Sequence, residues 1–185
     1  MQQIFQQMDG VMQRSRETRR RAMRIRTYKV IPLKPQTGVI EWVLQTVPLL
    51  EYLEKTHITV NPGDWKWSIC RQRIHEAAAK DHQKRLEVYQ EVCQHFKPVL
   101  RYFFLDHFRD PDSWLSRKLN YSRSVAASSM IGHVLGLGDR HGQNILLDKQ
   151  TGEVVHIDLG VAFEQVLGNL TQCLTNRGNC FSFQR

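Results

Sequence analysis

No apolar run in this chain approaches the length of a membrane span, so nothing in it argues for an integral membrane protein. The first residues are rich in glutamine (Gln2, Gln3, Gln6, Gln7) and lack the apolar block of a secretory signal, which makes an intracellular protein the expectation. Cysteine is scarce. Cys70, Cys93, Cys173 and Cys180 show no Cys-x-x-Cys spacing and no histidine at zinc-finger distance, which points to reduced thiols that hold no metal. Internal repeats and low-complexity tracts are absent. Acidic residues are outnumbered, 18 against 26 lysines and arginines, for a formal charge of +8. Much of that excess sits in Arg14, Arg16, Arg19, Arg20, Arg21, Arg24 and Arg26. Such a cluster could grip the phosphates of nucleic acid or a phosphoinositide, or could simply be a solvated face around a helix end. No stacking aromatics interleave it, which disfavours direct nucleic-acid binding.

What is present suits one sizeable core: 185 residues, 41% hydrophobic and 24% charged. Ile4, Phe5, Met8, Val11 and Met12 recur at helical steps and predict a helix over residues 1 to about 20. Alternation predicts a strand over about 24–33, a turn at Pro35-Gln36-Thr37-Gly38 and a second strand over 39–43. A short helix is expected over 48–54 and a loop at Asn61-Pro62-Gly63-Asp64. One long helix then runs over about 68–95, anchored at its start by Trp65 and Trp67. Lys97-Pro98 breaks it, and an aromatic helix follows over 99–108. Asp110-Pro111 is a helix start, a cap followed by a proline whose missing N–H does no harm in the first turn. That helix should reach about Val134, with Ser124, Ala126, Ala127, Ser128 and Ser129 allowing close approach of another element, and end at Gly136 and Gly138.

The most informative run comes next: Gly138-Asp139-Arg140-His141-Gly142-Gln143-Asn144, then Asp158-Leu159-Gly160. Between them lies a hairpin pattern. Ile145-Leu146-Leu147 and Val154-Val155-His156-Ile157 are apolar runs, and Asp148-Lys149-Gln150-Thr151-Gly152 is turn chemistry. Both ends of an antiparallel pair lie on one side, so Asn144 and Asp158 would converge. An aspartate can orient or deprotonate a hydroxyl, while an amide oxygen and a second carboxylate can hold Mg²⁺ on phosphates.

The spacing Asp139-x4-Asn144, with Asp158-Leu159-Gly160 after it, resembles the catalytic loop and Asp-Phe-Gly of protein kinases. Here the triplet is reversed to Asp139-Arg140-His141. With Leu135-Gly136-Leu137-Gly138, Thr27-Tyr28-Lys29-Val30-Ile31-Pro32-Leu33, Arg123-Ser124-Val125-Ala126 and the run from His156 to Gln165, the chain resembles the phosphatidylinositol-3-kinase-related protein kinases over residues 1–165. The resemblance implies an α+β, two-lobed, protein-kinase-like fold, present in part. Residues 1–43 would be the end of the small lobe and the hinge, 44–165 the first part of the helical large lobe, and 166–185 a divergent, disordered tail. It implies ATP and Mg²⁺, with Mn²⁺ as an alternative. Asp139 would act on the hydroxyl, His141 would support phosphate charge, and Asn144 and Asp158 would hold the metal. Glu41, Trp42 and Val43 would form the hinge, and Tyr28, Leu146 and Ile157 would line the nucleotide pocket. It further implies protein substrates with Ser/Thr-Gln sites, and DNA-damage signalling, DNA repair and cell-cycle control in the nucleus.

Departures from the pattern bear on activity. No Gly-x-Gly-x-x-Gly run precedes the hinge, Lys29 is no clear match for a phosphate-binding lysine, and Glu17 is a poor partner for one. Residues 166–185 match nothing in the family pattern, as an abnormal splice would produce. The isolated chain is therefore expected to show negligible phosphotransfer. Two rivals stay open: a phosphoinositide lipid kinase fragment, which uses a similarly reversed loop, and a non-catalytic fragment that binds a partner.

Overall fold

The computed structural model describes residues 1–163, so the tail expected at 166–185 lies outside the described residues. Helix α1 (Gln2–Arg14) buries Phe5, with Ile4, Met8 and Met12 packed beside it as the apolar spacing predicts. The helix expected to reach residue 20 breaks at Ser15, which is extended, and α2 (Arg16–Arg20) is a separate short piece. The Thr18 hydroxyl donates chiefly to the Met12 carbonyl, an acceptor freed by the break, and more distantly, at 3.3 Å, to the Ser15 carbonyl that the Arg19 N–H already serves.

The strand expected from residue 24 begins only at Val30. Strand β1 (Val30–Lys34) pairs antiparallel with β2 (Thr37–Ile40), and one further rung runs from Glu41 N–H to the Lys29 carbonyl at 2.9 Å. Residues 24–29 alternate but have no neighbouring strand. Side chains hold them instead: Ile25 N–H donates to Asp9 Oδ1 at 3.0 Å and Tyr28 N–H to Gln2 Oε1 at 3.4 Å. Arg26 Nη1 reaches Asp148 Oδ2 at 2.7 Å.

A three-residue strand that the sequence reading missed, β3 (Thr46–Pro48), leads straight into α3 (Leu49–Val60), which is longer than expected. The long helix predicted over 68–95 is two helices, α4 (Trp67–Ala77) and α5 (His82–His95). Asp81 caps the second by accepting from Lys84 N–H at 2.8 Å. The two run antiparallel, since Trp65 N–H donates to the His95 carbonyl and Arg73 pairs with Glu91. Trp65 stacks on His95 at 4.2 Å between ring centres, so the anchoring role expected for it is met.

Helix α6 (Arg101–His107) is the aromatic helix, and α7 (Pro111–Val134) starts on the Asp110 cap as predicted, its carboxylate accepting from Ser113 N–H at 2.9 Å. Strands β4 (Ile145–Asp148) and β5 (Val154–His156) form the expected hairpin, and β3 adds on the far side of β4. Register assigns the faces. Leu147 and Val154 oppose each other and join Phe103, Phe104 and Phe108 in the main core. Leu146 and Val155, one residue along, point the opposite way onto Tyr28. A hairpin buried on both faces reads as two continuous apolar runs, which is what the sequence shows.

Candidate active site

Helix α7 ends in a paired-hydrogen-bond turn: Leu137 N–H donates to the Gly132 carbonyl and Gly136 N–H to that of His133. Gly136 has φ +58°, and a side chain there would stand 3.3 Å from the Phe163 carbonyl. The chain leaving the helix is tied to the segment beyond Asp158. Gly138 N–H donates to the Val161 carbonyl and Phe163 N–H to that of Leu135.

Within this frame Asp139 and Asp158 both adopt left-handed backbone conformations, φ +53° and +51°. Non-glycine residues rarely do so unless their surroundings hold them there. Here the holding group is Arg140. Its Nε donates to the Gly138 carbonyl at 2.8 Å and its Nη1 to the Ile157 carbonyl at 2.7 Å and the Asn144 carbonyl at 3.5 Å. Its Nη2 donates to the carbonyl of Asp158 itself. One planar fork thus joins the Asp139 loop to the Asp158 turn. Burial lowers the Arg140 pKa, opposed by the charges of Asp139 and Asp158. Burial likewise brings the neighbouring His156 imidazole down to about 4, with the Arg140 charge adding to it, so this ring is neutral.

Asn144 is buried, and its Nδ2 donates to the Asp139 carbonyl at 3.0 Å and sits 3.4 Å from Asp139 Oδ2. Its amide oxygen accepts no hydrogen bond among the described residues. His141 Nδ1 accepts from Gln143 N–H at 3.3 Å, which in the neutral ring leaves the proton on Nε2, 3.7 Å from Asp139 Oδ1. The loop is pressed against the start of α3. Leu50 N–H donates to the Gly142 carbonyl, and a Cβ on Gly142 would come within 2.8 Å of Leu50 Cβ.

Of the six residues expected around a nucleotide, four gather in one cluster: Tyr28, Leu146, Val43 and Ile157, closed by Val155. Glu41 and Trp42 do not join it, and Trp42 is 84% exposed, so it is no core aromatic. The hinge backbone is partly engaged. Glu41 N–H goes to Lys29 and the Val43 carbonyl accepts from Thr46 Oγ1. The Glu41 carbonyl and the Val43 N–H take no partner among the described residues, an acceptor and a donor two residues apart, as a purine edge needs.

A divalent cation suits the donor set. An unused amide oxygen on Asn144 and the exposed carboxylate of Asp158 are hard oxygen ligands of the kind that hold Mg²⁺ together with phosphates. No group of three or more His, Cys, Asp or Glu able to hold a metal occurs among the described residues, so phosphate oxygens would complete the shell. Arg140 is the residue the sequence reading passed over. The signal was its place between two candidate site residues, but its carbonyl partners lie up to 18 residues away.

The family profile described as "Phosphatidylinositol 3- and 4-kinase" matches residues 1–173. The chain belongs to this family. Within this kinase family it is similar to "Serine/threonine-protein kinase tel1" of Schizosaccharomyces pombe, 54% identical over 165 residues, and to "Serine-protein kinase ATM" of Sus scrofa, 48% identical over 169. Each alignment takes in 89% of this chain but only 6% of the relative, so the chain spans a small part of those kinases. Among solved structures, "FAT and kinase domain of CtTel1" superposes with a TM-score of 0.81 at 54% identity, over 89% of this chain and 12% of that one. The small sheets and many helices are therefore the α+β fold of a section of the kinase domain. No described helix is long and apolar enough to cross a membrane.

Proposed function

We propose that this chain is a section of the catalytic domain of an ATP-dependent protein serine/threonine kinase, with residues 1–43 ending the small lobe at the hinge and 44–165 beginning the large lobe. The observation that carries the reading is the Arg140 fork, which fixes the left-handed Asp139 and Asp158 at one mouth of the β4–β5 hairpin. In this arrangement Asp139 orients the substrate hydroxyl and accepts its proton. His141, its proton on Nε2, donates toward a phosphoryl oxygen. Asn144 and Asp158 would hold Mg²⁺, or Mn²⁺ in its place, and the ion would supply charge neutralisation on the phosphates. Tyr28, Leu146 and Ile157 cover the base, while the Glu41 carbonyl and Val43 N–H read its edge. The relatives' names favour protein over lipid substrates. A nuclear location, DNA-damage signalling with DNA repair and cell-cycle control, and Ser/Thr-Gln sites rest on the likeness to Tel1 and ATM and on no residue of this site.

Calorimetric titration of the chain with Mg·ATP tests the reading without requiring turnover. Saturable binding is expected, with Asp158→Asn weakening it about tenfold, the usual loss of one charge-assisted ligand. Absence of binding, or equal binding by Asp158→Asn, would favour a non-catalytic fragment. Full-length parent enzyme offered a Ser-Gln peptide and phosphatidylinositol separates the two kinase classes, since lipid phosphorylation alone would overturn the protein-kinase reading.

A further inference from the structure

Away from the hairpin mouth, a cleft of about 510 Å³ opens between the α2 end and α7, lined by Glu17, Arg20, Arg21, Met23 and Arg123. Arg20 and Arg21 belong to the basic run visible in the sequence. Arg123 does not: it lies on α7 and only the fold brings it beside them. The basic run itself divides in the structure. Arg26 is neutralised by Asp148 and Glu153. The side chains of Arg20, Arg21 and Arg123 make no ion pair or hydrogen bond among the described residues, and the carboxylate of Glu17, the one acidic group in the cleft, pairs with none of them. A favourable interaction with the end of α2 accounts for Arg20 in its last turn and for Arg21 at its C-cap, but not for Arg123 on another helix.

We propose that this cleft binds a phosphate monoester carried on a peptide segment, a phosphoserine or phosphothreonine. Three arginines line one opening against a single carboxylate, and the planar forks of guanidinium groups match phosphate oxygens in pairs. The cleft is sized for a side chain with its neighbours rather than for a surface-spread polymer. Nucleic acid fits it poorly, because no aromatic ring lines the cleft for base stacking and Glu17 opposes a continuous polyanion. Met23 and Glu17 instead suit a peptide, offering an apolar contact and an acceptor for backbone N–H beside the phosphate.

The test is fluorescence anisotropy of the whole chain at fixed ionic strength, with a short labelled Gly/Ala peptide bearing one phosphoserine. Competitors are the same peptide unphosphorylated, inorganic phosphate and single-stranded DNA. The phosphopeptide should bind at least about tenfold more tightly than its unphosphorylated form, the scale of one charge-assisted contact. Arg123→Lys, which keeps charge and helix but loses the fork, should weaken it several-fold. Arg20→Gln/Arg21→Gln should abolish it, and Glu17→Gln should strengthen it. Arg24→Gln, in the same basic run but outside the cleft lining, should leave it unchanged. The proposal fails if the peptides bind alike, if inorganic phosphate competes as well per molecule as the phosphopeptide, or if DNA competes better. It also fails if Arg24→Gln weakens binding as much as Arg123→Lys, since that would make the effect one of diffuse charge.

Discussion

Arg140 makes backbone geometry out of side-chain chemistry, because its fork takes carbonyls from Gly138, Asn144, Ile157 and Asp158 at once. A lysine ammonium is a compact charge on a flexible stem and cannot span that set. Arg140→Lys should therefore leave the helices folded while releasing the Asp158 turn. Mg·ATP affinity, read by calorimetry, is expected to fall about tenfold with unchanged far-ultraviolet circular dichroism. Equal affinity would show that the turn holds itself. His57 makes a different kind of prediction. It stacks on Phe96 at 3.8 Å between ring centres, its Nδ1 is buried without a hydrogen bond, and Asp64 Oδ2 stands 3.8 Å away. Burial lowers its pKa from 6.5, and the Asp64 charge only partly opposes that. In that window the unfolded chain takes up the proton more readily than the folded one. The contribution of the neutral ring is thus complete above about pH 6.5 and lost as the pH falls through the lowered value. Urea midpoints measured near neutrality and in mild acid should fall on acidification, and fall less in His57→Phe. An equal fall in both would remove His57 from the account.

At the scale of elements, what the sequence made legible was whatever a few neighbouring residues decide. Asp110-Pro111 caps α7, Gly136 ends it, and the hairpin from Ile145 to Ile157 carries its own turn, so all three were read correctly. What failed depends on partners far along the chain. Residues 24–29 alternate like a strand, yet the bonds that hold them come from Gln2, Asp9 and Asp148. The α4–α5 break falls in Ala77-Ala78-Ala79-Lys80, where every residue favours helix, and only the Asp81 cap and the return of α5 onto α4 reveal it. Strand β3 is too short and ends in a proline, so no alternation could announce it. In the site, spacing brought Asp139, Asn144 and Asp158 into one loop-and-hairpin frame and the resemblance named Tyr28, Val43, Leu146 and Ile157 together, whereas the Arg140 fork needed the fold. The small residues of α7 join the two kinds of information. Ser124 is buried, donates to the Tyr121 carbonyl and accepts from Val154 N–H at 3.1 Å, fastening the helix to β5. Ser124→Ala leaves that buried N–H without a partner and should cost about 1–3 kcal/mol in denaturant unfolding. A loss below about 0.5 kcal/mol would mean that water or a shifted backbone replaces the hydroxyl.

Across the described residues three apolar clusters divide the work: one joins α6, α7 and the hairpin, one packs α1 and Ile25 against α7, and one seats Tyr28 on the outer face of the hairpin. The β1–β2 pair exposes Val30, Ile31, Leu33, Val39 and Ile40, so it contributes little packing to hold itself in place. A polar tie to the hairpin comes from Arg26, whose guanidinium bridges Asp148 and Glu153 on the hairpin turn. Asp148 is 2% exposed, and its other carboxylate oxygen accepts the N–H groups of Gln150 and Thr151, so the same residue shapes the turn and receives the N-terminal segment. Removing either partner should therefore have unequal effects. Asp148→Ala loses the turn bonds and strands Arg26, and should cost about 3 kcal/mol, whereas Arg26→Ala leaves a carboxylate still bonded to two backbone donors and should cost about 1–2 kcal/mol. The double variant should fall short of the sum by about 1 kcal/mol, the coupling that belongs to the bridge. Because residues 24–29 carry Tyr28 onto Leu146 and Val155, Arg26→Ala should also weaken Mg·ATP binding although Arg26 is not among the proposed nucleotide contacts. Additive losses in the denaturant cycle, together with unchanged nucleotide affinity, would show that the clusters alone hold the N-terminal segment against the hairpin.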